Sequence, residues 1–520
     1  MAELSRRNFL GLGAVAAGAA ALGLTGCAPS SPSSPAASTG ASNIPDSWDA
    51  EADVVILGAG GTGLAAACAA ANAGASVLAI DVDVKAGGTT ALSGGVIQAA
   101  GTKAQKQFTS FQNDTPDNHA ACYIEQAEKL ADEGLVKAMC ARAPERIEWL
   151  EGIGLKFVSV YGNCHVPYVT EGLHADRIHV YEGGGGIGNG GVLTDAEFAE
   201  AQKLGAKFKF NCKAEHLIFD AEKGVVGVVA SEGSKTVNLK ANKGVILALG
   251  GIDRNEGLSQ ALCPQQYWDL TEQTSLISGF ANGDGILIGL EVNAALATVG
   301  GTIDFDGVTG QGTANNSPQM PCIFVNGTGK RFVCEDATYA YMMRAIFQQE
   351  RQLRKPTYMI MDQSMIEQGV GPWGTADAAN TAVADGTLVK GDTPEALAAA
   401  LGIPTTTFAD TLASWNNAIA ATGADIEFGR NTQLASLDKA PYYAHLNTSM
   451  NLGSLGGVKI NANAEVLDNN GKVIPRLYAG GMNSGGWYGT YYPGSGTSLM
   501  GGLVLGTIAG EQAAAADAWS

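Results

Sequence analysis

The chain is poor in charge. Of its 520 residues only 16% are Asp, Glu, Lys or Arg, and 32 basic residues face 51 acidic ones, a net charge of −19. That balance repels nucleic-acid phosphates and anionic headgroups, which excludes nucleic-acid binding as the main function. The cysteines are scattered too. Cys27, Cys68, Cys122, Cys140, Cys164, Cys212, Cys263, Cys322 and Cys334 form no CxxC pair, no CxxCH haem signature and no zinc-spaced cluster with histidine. All but Cys27 read as small buried apolar residues, and no metal ligand set is expected. No long hydrophobic run is present at the start either. Phe9–Leu24 is 16 residues, fewer than the ~20 that a helix needs to cross a bilayer.

What is there is apolar and rich in glycine. A hydrophobic content of 46% and 70 glycines suit a large core with close backbone approaches, and the length suits two or three domains. Ser5-Arg6-Arg7-Asn8-Phe9-Leu10 reads as a twin-arginine export signal, and the apolar stretch after it as a signal h-region. Leu24-Thr25-Gly26-Cys27 resembles a lipobox, which would make Cys27 a lipidated first residue. Residues 1–27 are therefore expected to be a lipoprotein signal, and 28–47, rich in Ser and Pro, a flexible tether. The expected location is the extracytoplasmic face of a bacterial cell membrane, held there through a lipid on Cys27.

Glu51–Leu57 reads as a buried parallel strand and runs straight into Gly58-Ala59-Gly60-Gly61-Thr62-Gly63. An Ala-rich helix from Leu64 to Ala73 follows, and a second strand, Ala75–Ile80, ends in Asp81. Gly58 and Gly60 permit a tight turn and close approach of backbone N–H groups to a pyrophosphate at the helix start. Gly63 lets that helix sit close to the strand, and Asp81 is placed for a ribose hydroxyl. Strand, turn, helix, strand and acid in this order indicate a dinucleotide site. Gly87-Gly88-Thr89-Thr90 and Ser93-Gly94-Gly95 follow, as do late strands at Val245–Leu249 and Leu477–Ala479, both running into glycines. Strands that return after hundreds of residues imply a discontinuous domain, which fits a flavin bound along its length. No second dinucleotide fingerprint marks an NADPH site.

With these motifs the chain resembles the flavoprotein family of soluble fumarate reductases and 3-ketosteroid dehydrogenases. The likeness extends over about residues 50–516 and includes Gly283-Asp284-Gly285, Gly329-Lys330-Arg331-Phe332-Val333, Phe428-Gly429-Arg430 and Gly456-Gly457-Val458-Lys459-Ile460. The resemblance implies that Asp81, the Gly88–Gly95 stretch, Ala214, Gly251, Asp284, Gly481, Ser498 and Leu499 lie along FAD. Asp81 stands where the family usually has Glu, and Met482 where many members have an acid. No His lies in the Gly87–Gly95 segment, where covalently flavinylated relatives carry one, so the FAD is expected to be non-covalent.

The family's fumarate reductases hold a dianion with fixed cations. Here Tyr339 stands at the place of an Arg after Phe332-Val333-Cys334-Glu335, and Tyr488 and Tyr492 at the places of a late His and Arg. A dicarboxylate would have no counter-charge, and an unpaired buried carboxylate costs several kcal/mol. A phenol, with a reference pKa of about 10, can donate to a carbonyl oxygen and exchange a proton. Tyr492-Pro493-Gly494-Ser495-Gly496 is similar to the Tyr-Pro-Gly-x-Gly stretch of 3-ketosteroid dehydrogenases. The resemblance implies that Tyr492 and the Gly496 amide polarise a ketone, that Tyr339 transfers a proton, and that Tyr488 assists or merely packs beside Trp487. A third tyrosine is left open among Tyr161, Tyr168 and Tyr181. His174 reads as structural, His179 stays undecided, and Thr194-Asp195-Ala196-Glu197 reads as a capping box that opens a helix.

The expected fold is α/β. A discontinuous Rossmann-like FAD domain spans 48–288 and 447–520, and an inserted α+β capping or catalytic domain spans 289–446. The expected activity is flavin-dependent reduction or dehydrogenation of a carbon–carbon bond conjugated to a ketone in a steroid-like enone, with reduction favoured. Electrons would come from an external quinone, cytochrome or small flavoprotein. The competing readings are a reductase of an unsaturated carboxylate and a lipid-anchored flavin carrier or binding protein without turnover.

Overall fold

The computed structural model describes residues 44–162, 165–306 and 321–520. The twin-arginine signal, Cys27 and most of the linker lie outside the described residues. Among the described residues no helix is long and apolar enough to cross a membrane.

The chain begins its sheet with β1, Ala50–Leu57, in which Val54 to Leu57 are all fully buried. A continuous apolar run of this kind suits a central parallel strand covered on both faces. β1 leads into helix α1, Gly61–Asn72, then β2, Val77–Ile80, and the short helix α2, Gly88–Leu92. Helix α3, Gly190–Lys203, precedes β3, Lys207–Lys209, and β4 spans Lys235–Leu247. From the far end of the chain come β5, Glu465–Leu467, and β6, Val473–Ala479. The sheet order is β5-β6-β4-β1-β2-β3, with an additional hairpin, Cys212–Asp220 and Gly224–Glu232, paired onto β4. β6, β4, β1, β2 and β3 run parallel, with Leu57 opposite Ile80 on one side and Leu247 on the other. The expected α/β class and the return of a late strand into the sheet are thus observed.

The last helix, α5, Thr497–Ala515, is buried almost all round and lies on α1. Gly502, Gly506 and Gly510 recur every four residues and so share one face. A Cβ on Gly506 would lie 2.4 Å from the Thr62 carbonyl oxygen, and one on Gly510 2.4 Å from that of Ala66. Backbone-close packing of two helices over the sheet therefore fixes where the N-termini of α1 and α5 point. Both point into the same cavity.

Helix α4, Tyr339–Leu353, lies within the region 321–446, whose antiparallel sheet joins Ile323–Val325, Tyr358–Asp362, Tyr442–Leu446 and Leu388–Gly391. This sheet carries its own apolar cluster around Phe408, Leu412 and Trp415. The capping-box reading of Thr194–Glu197 is corrected. Helix α3 already begins at Gly190, so both residues are interior, and the Thr194 hydroxyl donates back to the Gly191 carbonyl at 3.2 Å.

Candidate active site

Two adjoining cavities, of about 420 and 110 Å³, share Gly61, Thr62, Thr89, Thr90, Leu452 and Met482 in their walls. The smaller one lies over the carboxyl ends of β1, β2 and β4, where open α/β sheets bind ligands. Gly58 carries φ +103°, and a Cβ there would meet the Ala248 carbonyl oxygen at 2.3 Å, so only glycine makes this turn. A Cβ on Gly63 would fall 1.9 Å from the Gly58 carbonyl oxygen, which is the tight helix-on-strand packing expected of it. Gly63 lines neither cavity, whereas Gly58, Gly60, Gly61 and Thr62 all do. The start of α1 borders the smaller cavity, where a helix N-terminus favours an anion, and the Gly61 N–H donates to Thr90 Oγ1 at 3.3 Å.

Asp81 is fixed by two backbone donors, Ala59 N–H at 2.6 Å to Oδ2 and Asp83 N–H at 2.8 Å to Oδ1. Burial raises its pKa against the lowering effect of those bonds. Gly88, Ala214, Gly251 and Asp284 complete the same cavity, with Asp284 opening the helix Asp284–Glu291. Asp253, a residue that the sequence reading missed, is buried in this wall and accepts from Ser454 N–H. Burial pushes its carboxyl up to about 6. No local motif marks it, because its partner is 201 residues away.

Ser93, Gly94, Gly95, Gly481, Ser498 and Leu499 line the larger cavity. So do Tyr339, Tyr492 and Gly496, which meet there from distant parts of the chain. The Tyr339 and Tyr492 rings lie 6.0 Å apart at 44°, and Phe305 packs edge-on to Tyr339 at 6.2 Å. Tyr339 opens α4, and its hydroxyl accepts from Ser495 Oγ at 3.4 Å. The Tyr492 oxygen accepts the Ser498 N–H of the first turn of α5 at 2.9 Å, so a helix N-terminus favours negative charge on that oxygen. Gly496 caps α5 with φ +87°, and a Cβ there would strike the backbone of Ile97 and Gln98 at 2.9 Å. Among the described residues its N–H has no acceptor.

Tyr488 is not part of the cavity wall. It is fully buried, stacked on Trp487 with ring centroids 3.8 Å apart, and its hydroxyl is bonded to Ser498 Oγ at 2.7 Å. Burial first, and Tyr492 second, push its pKa well up. Of the three candidates for another tyrosine, Tyr161 lines the larger cavity. Tyr168 is partly exposed and bonded to Tyr491, while Tyr181 donates to the Asn189 carbonyl. Tyr123 went unread in the sequence. It is buried on the helix Pro116–Gln126, its hydroxyl has no partner among the described residues, and it lies within electrostatic reach of Tyr488 and Tyr492.

The model of the FAD binding domain family matches residues 53–499. The chain belongs to that family of flavoproteins. The digoxin reductase of Eggerthella lenta is 30% identical over an alignment of 99% of this chain and 98% of that one. A crystal structure of 3-ketosteroid-delta4-(5alpha)-dehydrogenase from Rhodococcus jostii, in complex with 4-androstene-3,17-dione, superposes with a TM-score of 0.77. That protein is 28% identical, over 90% of this chain and 98% of its own. An open flavocytochrome c3 fumarate reductase gives 0.64 at 26% identity, over 90% and 78%. This flavoprotein is thus an FAD-dependent oxidoreductase of a family whose members act on unsaturated substrates.

The residues present fit FAD. The glycine cradle leaves room where a pyrophosphate must approach, Asp81 presents a fixed carboxylate, and the two cavities adjoin across shared wall residues. Histidines contribute no wall. His179 is held by Thr102 Oγ1 at 2.6 Å and the Arg177 carbonyl at 2.8 Å, and burial lowers it to about 4. His174 accepts from Val166 N–H at 3.4 Å. His165, Cys334 and Asp336 lie together, but Asp336 already accepts from the Cys334 thiol at 2.9 Å and from the Asn431 and Thr432 N–H groups. That arrangement is a hydrogen-bonded knot which fixes the segment before α4.

Proposed function

We propose that this flavoprotein reduces a carbon–carbon double bond conjugated to a ketone in a neutral, steroid-like enone. FAD, held non-covalently, supplies hydride exchange with the substrate. The observation that carries this reading is the absence of a cation. Among the described residues the larger cavity is lined by no Lys, Arg or His, and residues 163–164 and 307–320 contain none either. Its ionisable wall consists of Tyr161, Tyr339, Tyr492 and Glu197, set in apolar surface from Ile303, Phe305, Leu452 and Leu503. A dianion would be left unpaired there, whereas a ketone needs only donors.

In this reading the Tyr492 hydroxyl and the Gly496 N–H polarise the carbonyl, and the Ser498 N–H stabilises charge that develops on the phenol. Tyr339 passes a proton to the carbon that does not exchange hydride, with Ser495 orienting its hydroxyl. The names of the digoxin reductase and the ketosteroid dehydrogenase support a large polycyclic substrate. The reductive direction follows from an exported enzyme without a nicotinamide site, fed by an external quinone, cytochrome or small flavoprotein. Export through the twin-arginine route and lipidation at Cys27 belong to the same proposal. Cys27→Ser should release the protein from the membrane fraction, and unchanged attachment would point to an uncleaved anchor.

The test is single turnover. Flavin bleached anaerobically by dithionite should recover its colour on addition of a 3-keto-4-ene steroid and stay bleached with fumarate. Recovery with fumarate alone would replace this reading by the carboxylate one, and recovery with neither would favour a carrier or binding protein.

A further inference from the structure

Glu197 is the acid that the capping-box pattern misplaces. Released from any cap, its side chain is 1% exposed, and its Oε2 has no hydrogen-bond partner among the described residues. It lines the larger cavity on the side built by the opening of α1, by α2 and by α3. The wall around it is shared with Thr90, Ser93 and Leu193. It does not line the smaller cavity, where Asp81 and Ala214 lie. Its place is fixed tightly. The Cys68 thiol on α1 bonds the Glu197 carbonyl at 3.3 Å, and a Cβ on Gly190 would lie 1.9 Å from the Thr90 carbonyl oxygen.

Buried polar atoms in folded proteins have partners, and a carboxyl left without one is a strong destabilising element. Among the described residues no charge offsets this burial. Burial is the one cause acting on the Glu197 carboxyl, and it moves the pKa well above the ordinary range. Glu200 lies one turn further along α3 but is held by Lys203. Burial thus favours the protonated acid, which has one O–H to donate. Glu197 borders the larger cavity, so a group that fills this cavity is the nearest candidate for the missing partner.

We propose that the Glu197 carboxyl donates a hydrogen bond to an acceptor on the flavin half of bound FAD, as a positioning residue that seats the cofactor. This rests on the FAD assignment and not on the enone reading, so either can fail alone. No covalent step is involved. Gln at this position keeps a neutral donor of similar reach, whereas Leu keeps the volume and removes the donor.

The experiment uses the purified holoenzyme with FAD as the probe. Glu197→Leu should raise the FAD dissociation constant about tenfold, the size of one lost hydrogen bond, and should alter the flavin absorption band and midpoint potential. Glu197→Gln should restore all three to near wild type. A merely structural acid would change thermal stability without moving the band or the potential. Wild-type FAD affinity, spectrum and potential in Glu197→Leu overturn the proposal. Should the Leu variant fail to fold, the infrared difference spectrum of wild-type protein on dithionite reduction decides. A protonated-carboxyl band that shifts on reduction and is lost in Glu197→Gln is expected, and its absence from wild type overturns the assignment.

Discussion

The segment Arg331–Tyr339 ends in two buried polar regions that handle charge in opposite ways. At its start the Arg331 guanidinium is clamped by Glu335 at 2.8 Å and by Asp425 at 2.7 Å. The same group lies over Trp415, 4.6 Å from the ring centroid, and Arg430 reaches Glu335 at 3.5 Å. At its end Tyr339 enters a cavity with phenols, an unpartnered acid oxygen and, among the described residues, no cation. The chain can therefore bury arginine, and among the described residues the most buried ones, Arg177, Arg331 and Arg430, each reach carboxylates of its own. A pocket for a dicarboxylate would need an arginine left for the substrate, and Arg331 and Arg430 are already engaged.

The largest effect that would sharpen this contrast is on stability. Arg331→Met should leave Glu335 and Asp425 without their main partner and lower unfolding free energy by about 3–5 kcal/mol in urea titrations. Enone-driven reoxidation per bound flavin should stay within tenfold of wild type. A variant of wild-type stability would show that the cluster is not the paired region described here.

Next come the phenols. Tyr339→Phe should slow single-turnover reoxidation by about 10²–10⁴, because the proton donor is lost while the ring and its packing on Phe305 remain. Tyr492→Phe should slow it by about 10²–10³, the loss of one donor to a developing oxyanion, at unchanged FAD content. Stopped-flow absorbance at the flavin band measures both. Wild-type rates in the two variants would mean that the cation-free cavity is not where the chemistry occurs.

The cofactor end of this site was legible in sequence because its chemistry is backbone chemistry. Gly58 takes φ +103° and a Cβ on Gly63 would meet the Gly58 carbonyl oxygen five residues back, so strand, turn and helix could be read in order. The substrate end was readable only through resemblance, since Tyr339 and Tyr492 meet across 153 positions of chain and no local period joins them. Glu197 was misread because a local pattern and a tertiary one disagree. Thr194 and Glu197 satisfy the capping spacing, yet packing on α1 and α2 carries α3 back through Gly190, in a stretch that composition marks as loop. β4 extends well before the expected Val245 because the hairpin at Gly224–Glu232 pairs with its first half, from Lys235 to Lys240.

Tyr488 is the finest test of the contrast, because a tyrosine near Tyr492 in sequence need not share its work. Its ring lies 6.3 Å from that of Tyr492, but its hydroxyl is spent on Ser498 Oγ, and its face is covered by Trp487. Tyr488→Phe removes one buried hydrogen bond and keeps the stacking. Ser498 Oγ retains only a weak contact with the Met482 sulfur at 3.4 Å, so a loss of about 0.5–1.5 kcal/mol in stability is expected. Because Ser498 also supplies the N–H that holds the Tyr492 oxygen, a small indirect loss of rate, under about tenfold, should accompany it. Reoxidation slowed as far as in Tyr492→Phe would mean that Tyr488 turns into the cavity when substrate binds, and the line between packing and reacting phenols would have to be redrawn.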